Sequence, residues 1–280
     1  MDHNVLVAAV AVHDLDDPRL ADYRNIPDGE LLRDRGVFVA EGRLVVRRLL
    51  TGSRFAARSV LVTPAGYGGL ADALAASEVP VYVAAQELLN GITGINMHRG
   101  CLAIGERGAG LTSEAVIAAA SQLVVLERVA NPDNIGAVFR NAAAFGAGGV
   151  LLDPACVDPL YRKAIRTSMG TALSMPFARA EPWTEALARL RETGWTLLGL
   201  TTQASRTIAE AAARTRGCRV ALLLGSEGDG LSAAALDACD ERACVPMAPG
   251  VDSLNVATAG AVALYELFRD AQTTKASRTR

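Results

Sequence analysis

Val220-Ala221-Leu222-Leu223-Leu224-Gly225-Ser226-Glu227-Gly228-Asp229-Gly230 is the stretch that decides how this chain is read. An unbroken apolar run ending in glycines predicts a strand buried on both faces, followed by a loop whose backbone groups can approach a ligand closely. A second run, Ala243-Cys244-Val245-Pro246-Met247, leads into Val251-Asp252-Ser253-Leu254-Asn255-Val256-Ala257. Both are read as strands opening onto one site.

A third polar segment lies about ninety residues earlier. In Asn131-Pro132-Asp133-Asn134-Ile135-Gly136-Ala137-Val138-Phe139-Arg140-Asn141, amides and an arginine stand at the start of a helix. Asn134 is read as its N-cap, because Ile135, Val138, Phe139, Ala142 and Phe145 follow at helical spacing. These three segments, in this order, resemble the motifs of the SpoU (TrmH) family of RNA ribose 2′-O-methyltransferases, within the SPOUT class. The resemblance covers residues 120–270.

Composition sets the outer bounds. The chain has 280 residues, half of them apolar and a fifth charged, which suits two globular domains rather than a disordered or fibrous protein. No apolar run reaches the ~18 residues of a membrane span, and no basic region precedes Val5–Val12, which is read as a first strand or helix. The expected location is the cytoplasm. Cysteines 101, 156, 218, 239 and 244 form no Cys-x-x-Cys pair, so neither a disulfide framework nor a metal site is predicted. A net charge of −2 argues against nonspecific coating of nucleic acid, while leaving room for a local basic patch.

Such a patch is present between residues 24 and 58. Eight arginines, among them Arg24, Arg33, Arg35, Arg43 and Arg47, face four acids there, a local excess of +4. A charge run of this kind is ordinarily a set of solvated helix faces; ahead of an RNA-modifying half it is read as phosphate contact. Strand-like 37–40, 59–62, 81–84 and 101–105 alternate with helical 41–50, 69–76 and 86–89, giving a small α/β domain over residues 1–107. Its Phe38-Val39-Ala40-Glu41-Gly42 resembles the start of the ribosomal-protein-like substrate-binding domain that often precedes a SpoU domain. The 91–100 stretch, with Thr93, Asn96, His98 and Arg99, is read either as an RNA-touching loop or as turn chemistry. Residues 108–120 are read as linker, 121–270 as the second domain and 271–280 as a flexible tail.

Several chemistries are disfavoured. All three histidines lie before residue 99, outside the motif-bearing half. Gly225-Ser226-Glu227-Gly228 is not a nucleophile elbow, and the glycines at 146–149 precede a strand instead of following one into a helix. The resemblance supplies the reaction instead: methyl transfer from S-adenosylmethionine to a ribose 2′-oxygen of RNA, ribosomal RNA ahead of transfer RNA. It implies a C-terminal domain with a deep trefoil knot and a mostly parallel sheet, and a homodimer with Phe139, Phe145 or the closing helix at the interface. It also implies Thr201, Gly225, Val245 and Leu254 at the cofactor. Arg140, Asn134, Glu227, Ser253 and Asn255 are implied as the catalytic set. Val245 is expected to end a strand and Leu254 to begin the last helix. A guanidinium pKa above ~12 makes Arg140 a poor base, so it is read as holding phosphate and stabilising a developing alkoxide. A noncatalytic RNA-binding assembly factor with the same fold is the alternative.

Overall fold

In the computed structural model, residues 9–94 and 100–276 are described, with side chains to Phe268. The chain divides into two compact units. Met1–Ala109 and Pro159–Ser174 form the first; Gly110–Asp158 and Met175–Arg280 form the second.

The first unit runs β1 (Val10–Ala11), a 3-10 turn (Pro18–Tyr23), α1 (Asp28–Asp34), β2 (Val37–Glu41), α2 (Arg43–Gly52), β3 (Ala57–Val62), α3 (Pro64–Ala75), β4 (Val81–Val83), α4 (Gln86–Thr93) and β5 (Cys101–Glu106). Its strands lie in the order β1-β4-β3-β5-β2, with β5 antiparallel to both neighbours. Leu20, Tyr23, Leu31, Val39, Leu61, Leu89, Leu102 and Ile104 fill one face. Two helices, α3 and α4, are longer than predicted, α4 running on from residue 89 to Thr93. Thr63 caps α3 and Pro64 opens it, so the helix starts five residues before Gly69. Leu44 of α2 is exposed. Residues 95–99, with Asn96, His98 and Arg99, and residues 1–8 and 277–280 lie outside the described residues.

The second unit holds α5 (Ser113–Ala119), β6 (Gln122–Leu126), α6 (Pro132–Ala144) and β7 (Gly149–Leu152). The chain then passes through α7 (Arg162–Thr167) and a short 3-10 turn, both grouped with the first unit. It returns as β8 (Phe177–Arg179), α8 (Trp183–Glu192), β9 (Trp195–Leu200), α9 (Ile208–Arg214), β10 (Arg219–Leu224), α10 (Ala233–Ala238), β11 (Glu241–Ala243) and α11 (Val256–Ala276). All pairings are parallel, in the order β11-β9-β10-β6-β7-β8. Helices cover both faces of such a sheet, which is why β6 is apolar from Leu123 to Leu126 and β10 from Val220 to Leu224. Leu123, Val125, Leu197, Ala221 and Leu223 point into one core with Trp195 and Leu190. No helix among the described residues is long and apolar enough to cross a membrane.

Besides α5, which belongs to the second unit although residues 108–120 are read as linker, the units depart from the predicted limits at two places. The first is residues 159–174, tied into the first unit by backbone and charge: Arg162 N–H donates to Asp28 Oδ2 at 3.0 Å, Arg54 N–H to Leu173 O at 2.9 Å, and Arg166 lies 3.5 Å from Glu41. The second is the C-terminus, where α11 continues to Ala276, beyond the predicted start of a tail.

Candidate functional site

A cavity of about 400 Å³ opens at the carboxyl ends of β9, β10 and β11. In an open parallel sheet this is where ligands are held, because the strands deliver successive loops to one edge. Its walls are residues 200–203 after β9, 224–231 through the loop after β10, Val245 and Met247 after β11, and 253–256 leading into α11. Thr201, Gly225, Val245 and Leu254 all line it, as do Glu227, Ser253 and Asn255.

The glycine loop is shaped by Gly225. A Cβ there would sit 2.1 Å from Gly230 C and 2.3 Å from both Gly230 O and Leu231 N. Only glycine lets the loop fold back on its own start, closed by the Gly230 N–H to Ser226 O bond at 3.1 Å. At the loop's far end Ser232 caps α10. Its N–H and hydroxyl both donate to the carboxylate of Glu127 at 2.7 Å, and Trp183 Nε1 donates to the same group at 2.8 Å. Glu127 is only 3 % exposed, and three neutral donors satisfy it in place of a cation.

Asn134 is not the N-cap of α6. Asn131 holds that place, accepting from Asp133 N–H at 2.9 Å with Pro132 behind it, since proline fixes the φ of a first helical residue. Asn134 is buried one turn further on, and its Oδ1 accepts from Asn255 Nδ2 at 2.9 Å. Asn255 Oδ1 in turn accepts from the N–H groups of Ala257 and Thr258, capping α11. Asn141 Nδ2 adds a bond to Ala257 O at 2.9 Å. The amides thus join α6 to the wall of the cavity. Leu254 therefore precedes the helix instead of beginning it, and Val245 lies beyond β11, which ends at Ala243.

Arg140 is placed elsewhere. It is exposed on α6, is not part of the cavity wall, and makes no hydrogen bond or ion pair among the described residues. Among the described residues the lining has two carboxylates, Glu227 and Asp229, and neither lysine nor arginine. Phe139 is fully buried, edge-on to Phe177, so it cannot form an interface; Phe145 instead meets the exposed Tyr265 of α11, ring centroids 6.1 Å apart.

In the first unit, acids mostly outside residues 24–58 pair with much of the arginine run. Arg24 pairs with Asp16, Arg35 with Asp22 and Glu30, Arg47 with Asp72, and Arg58 with Asp22 and Glu106. The hydrogen bond from Arg47 holds the Asp72 carboxyl at about 2. Arg33 and Arg43 make no ion pair among the described residues.

Residues 121–265 match the sequence profile of the SpoU rRNA Methylase family. A tRNA/rRNA methyltransferase of Mycobacterium bovis, itself uncharacterised, is 42 % identical over 265 residues, covering 92 % of this chain and 91 % of that one. The crystal structure of the SpoU methyltransferase AviRb from Streptomyces viridochromogenes, in complex with the cofactor AdoMet, aligns with a TM-score of 0.75 at 25 % identity, covering 92 % of this chain and all of that one. A structure described as an RNA 2′-O ribose methyltransferase aligns with a TM-score of 0.72 at 25 % identity, covering 95 % of this chain and all of that one.

Proposed function

The chain belongs to the SpoU rRNA methylase family, and from that premise we propose that it transfers a methyl group from S-adenosylmethionine to a ribose 2′-oxygen of RNA. One observation carries the reading: Thr201, Gly225, Val245 and Leu254, from four separate segments, wall a single cavity. The cavity fits the cofactor. About 400 Å³ falls within the ~300–1,000 Å³ of pockets that enclose a drug-sized ligand. Leu200, Val245, Met247 and Leu254 offer apolar surface, the loops offer backbone donors and acceptors, and Glu227 and Asp229 suit a positively charged guest. When bound, S-adenosylmethionine supplies an activated methyl on sulfur, leaving the protein to align the acceptor oxygen and assist loss of its proton.

In this reading Asn134 and Asn255 hold the cavity floor, Ser253 hydrogen-bonds the ribose or the loop, and Glu227 orients the catalytic arginine. Arg140 holds a phosphate and stabilises the developing alkoxide. The cavity of one chain is lined by no cation among the described residues, which supports a homodimer across α6 and α11 in which an Arg140 completes the site. The exposed Val262 and Tyr265 of α11 would be buried there. The reading includes a trefoil knot; the segment after β11 is tied to that after β9, Cys244 N–H donating to Arg206 O and Ile208 N–H to Cys244 O. Arg33 and Arg43 lack carboxylate partners among the described residues and are the first-unit arginines best placed to take phosphate; Arg24, Arg35 and Arg47 would have to exchange theirs.

Ribosomal RNA in the cytoplasm is the proposed substrate, with transfer RNA second. Radiolabelled S-adenosylmethionine offered to separated ribosomal and transfer RNA pools, followed by nucleoside digestion, tests this. Label in a 2′-O-methylnucleoside of the ribosomal pool is expected; label in a methylated base, or none in either pool despite cofactor binding, overturns it.

A further inference from the structure

Arg128 stands out at the other side of the cavity's glycine loop. It follows Glu127 at the carboxyl end of β6 and has φ +54°, a left-handed conformation that non-glycine residues adopt only when their surroundings impose it. What imposes it is visible. Its N–H donates at 3.0 Å to Asp153 Oδ1, which is 6 % exposed and also accepts from Cys156 N–H at 2.9 Å. The side chain is thereby sent toward the loop after β10, where a terminal nitrogen lies 3.7 Å from Asp229 Oδ2. Its Nε is buried without a partner among the described residues.

Topology adds a second line of argument. β6 and β10 are neighbours, but the chain leaves β6 for β7 on one side and reaches β11 from β10 on the other. The crevice between their ends is a switch point, the place where open parallel sheets receive ligands. Arg128 and Asp229 span it. A pair so exposed, 40 % and 81 % at the two side chains, is weakly held and exchangeable. The pair engages one terminal nitrogen of a side chain that is 40 % exposed, so the guanidinium keeps donors for a second oxygen, which one distant carboxylate oxygen does not fill. Asp229 lines the cavity, and Arg128, with its side chain 40 % exposed, lies outside that lining.

We propose that Arg128 binds an RNA phosphate, and that Asp229 holds it in place until RNA displaces the carboxylate. This rests on the RNA methyltransferase reading. It assigns a cation at the cavity mouth to the same chain that supplies the cavity, independently of any second copy. The exchange breaks an ion pair and forms a charge-assisted hydrogen bond, with no covalent step.

The test is fluorescence anisotropy of a fluorescein-labelled single-stranded oligoribonucleotide against the full-length protein over a range of KCl. R128A is expected to weaken binding and to flatten the slope of log K against log salt by about 0.7, the value of one phosphate contact on a single strand. R128K should restore the slope, and R128G, which suits the left-handed backbone, should match R128A. D229N, by freeing the arginine, should tighten binding. An unchanged slope in both R128A and R128G, or weaker binding by D229N, overturns the proposal. Calorimetric titration with S-adenosylmethionine separates the other oxyanion available, the donor's carboxylate: loss of donor affinity in R128A with an unchanged RNA slope assigns Arg128 there and overturns the proposal. Failure of the wild type to bind S-adenosylmethionine would instead sink the methyltransferase reading, while the salt slopes still report on Arg128.

Discussion

Replacing Gly225 with alanine is the most informative single change at the cavity, because its consequence follows from distances alone. The added methyl would lie 2.1 Å from Gly230 C, 2.3 Å from Gly230 O and 2.3 Å from Leu231 N. All three are backbone atoms, so no side-chain rotation relieves the overlap, and the 226–231 segment must move outward by about 1 Å or more to reach van der Waals separation. Overpacking of this kind costs about 1–3 kcal/mol. The displaced segment carries Ser226, Glu227, Asp229 and Leu231, all part of the cavity wall, so the same strain appears in ligand binding. At about 1.4 kcal/mol per tenfold, S-adenosylmethionine affinity should fall by one to two orders of magnitude. Gly228→Ala is the control, since nothing lies within 4 Å of its Cβ position. Calorimetric titration and denaturant melts of both variants provide the measurement. Equal affinity and stability in G225A and G228A would refute the close-approach argument.

Three further outcomes are expected. Arg140→Ala should abolish methyl transfer while leaving the melting temperature and S-adenosylmethionine affinity unchanged, because the side chain is exposed and apart from the cavity; near-normal turnover removes Arg140 from the chemistry. Glu127→Gln keeps the shape but must turn an amide donor toward either Ser232 N–H or the Trp183 and Ser232 side-chain donors, costing about 1–3 kcal/mol in a denaturant melt. An unperturbed melt would show that the buried carboxylate carries no such demand. Burial, with the Asp153 charge adding to it, raises the Cys156 thiol from 9.0 to about 12. The folded chain then keeps a proton that the unfolded chain loses first, so this thiol's contribution is intact below pH 9.0 and is lost as pH rises toward about 12. The stability difference between wild type and C156A should therefore narrow across that window; a difference independent of pH would contradict it.

The parts of this molecule legible in sequence are those whose cause is local. β6 and β10 announce themselves as continuous apolar runs because a parallel sheet buries both faces. A capping box at Thr207 and Glu210 marks the start of α9 just as locally, and reading for it would have found that helix. Asn131-Pro132 likewise signals the true start of α6, whereas the hydrophobic spacing behind Asn134 drew the cap three residues too late. β8 has only three residues and no periodicity to detect. The site's fixed points are another matter. Glu127 receives donors 56 and 105 residues away in sequence, and no pattern around Leu126 foretells either. The local charge of the arginine run is set in the same way: Asp16, Asp22, Asp72 and Glu106 lie outside its window and meet it only in the fold.

Charge placement then divides the work of the site. The cavity holds Glu227 and Asp229 with no lining cation among the described residues, which favours a positively charged donor but opposes a polyanion. RNA can therefore approach only where a guanidinium offsets those carboxylates, and Arg128 at the mouth and Arg140 on α6 are the second-unit groups so placed in this reading. Donor and RNA affinity should consequently respond to salt very differently. A single positive guest beside two carboxylates loses little to screening at a Debye length of about 8–10 Å, whereas each phosphate contact steepens the RNA slope by about 0.7. Asn134 and Asn255, neutral and bonded to each other, contribute to neither slope. That leaves them to fix geometry alone, and it is why a substitution there should alter turnover without altering the salt dependence of RNA binding.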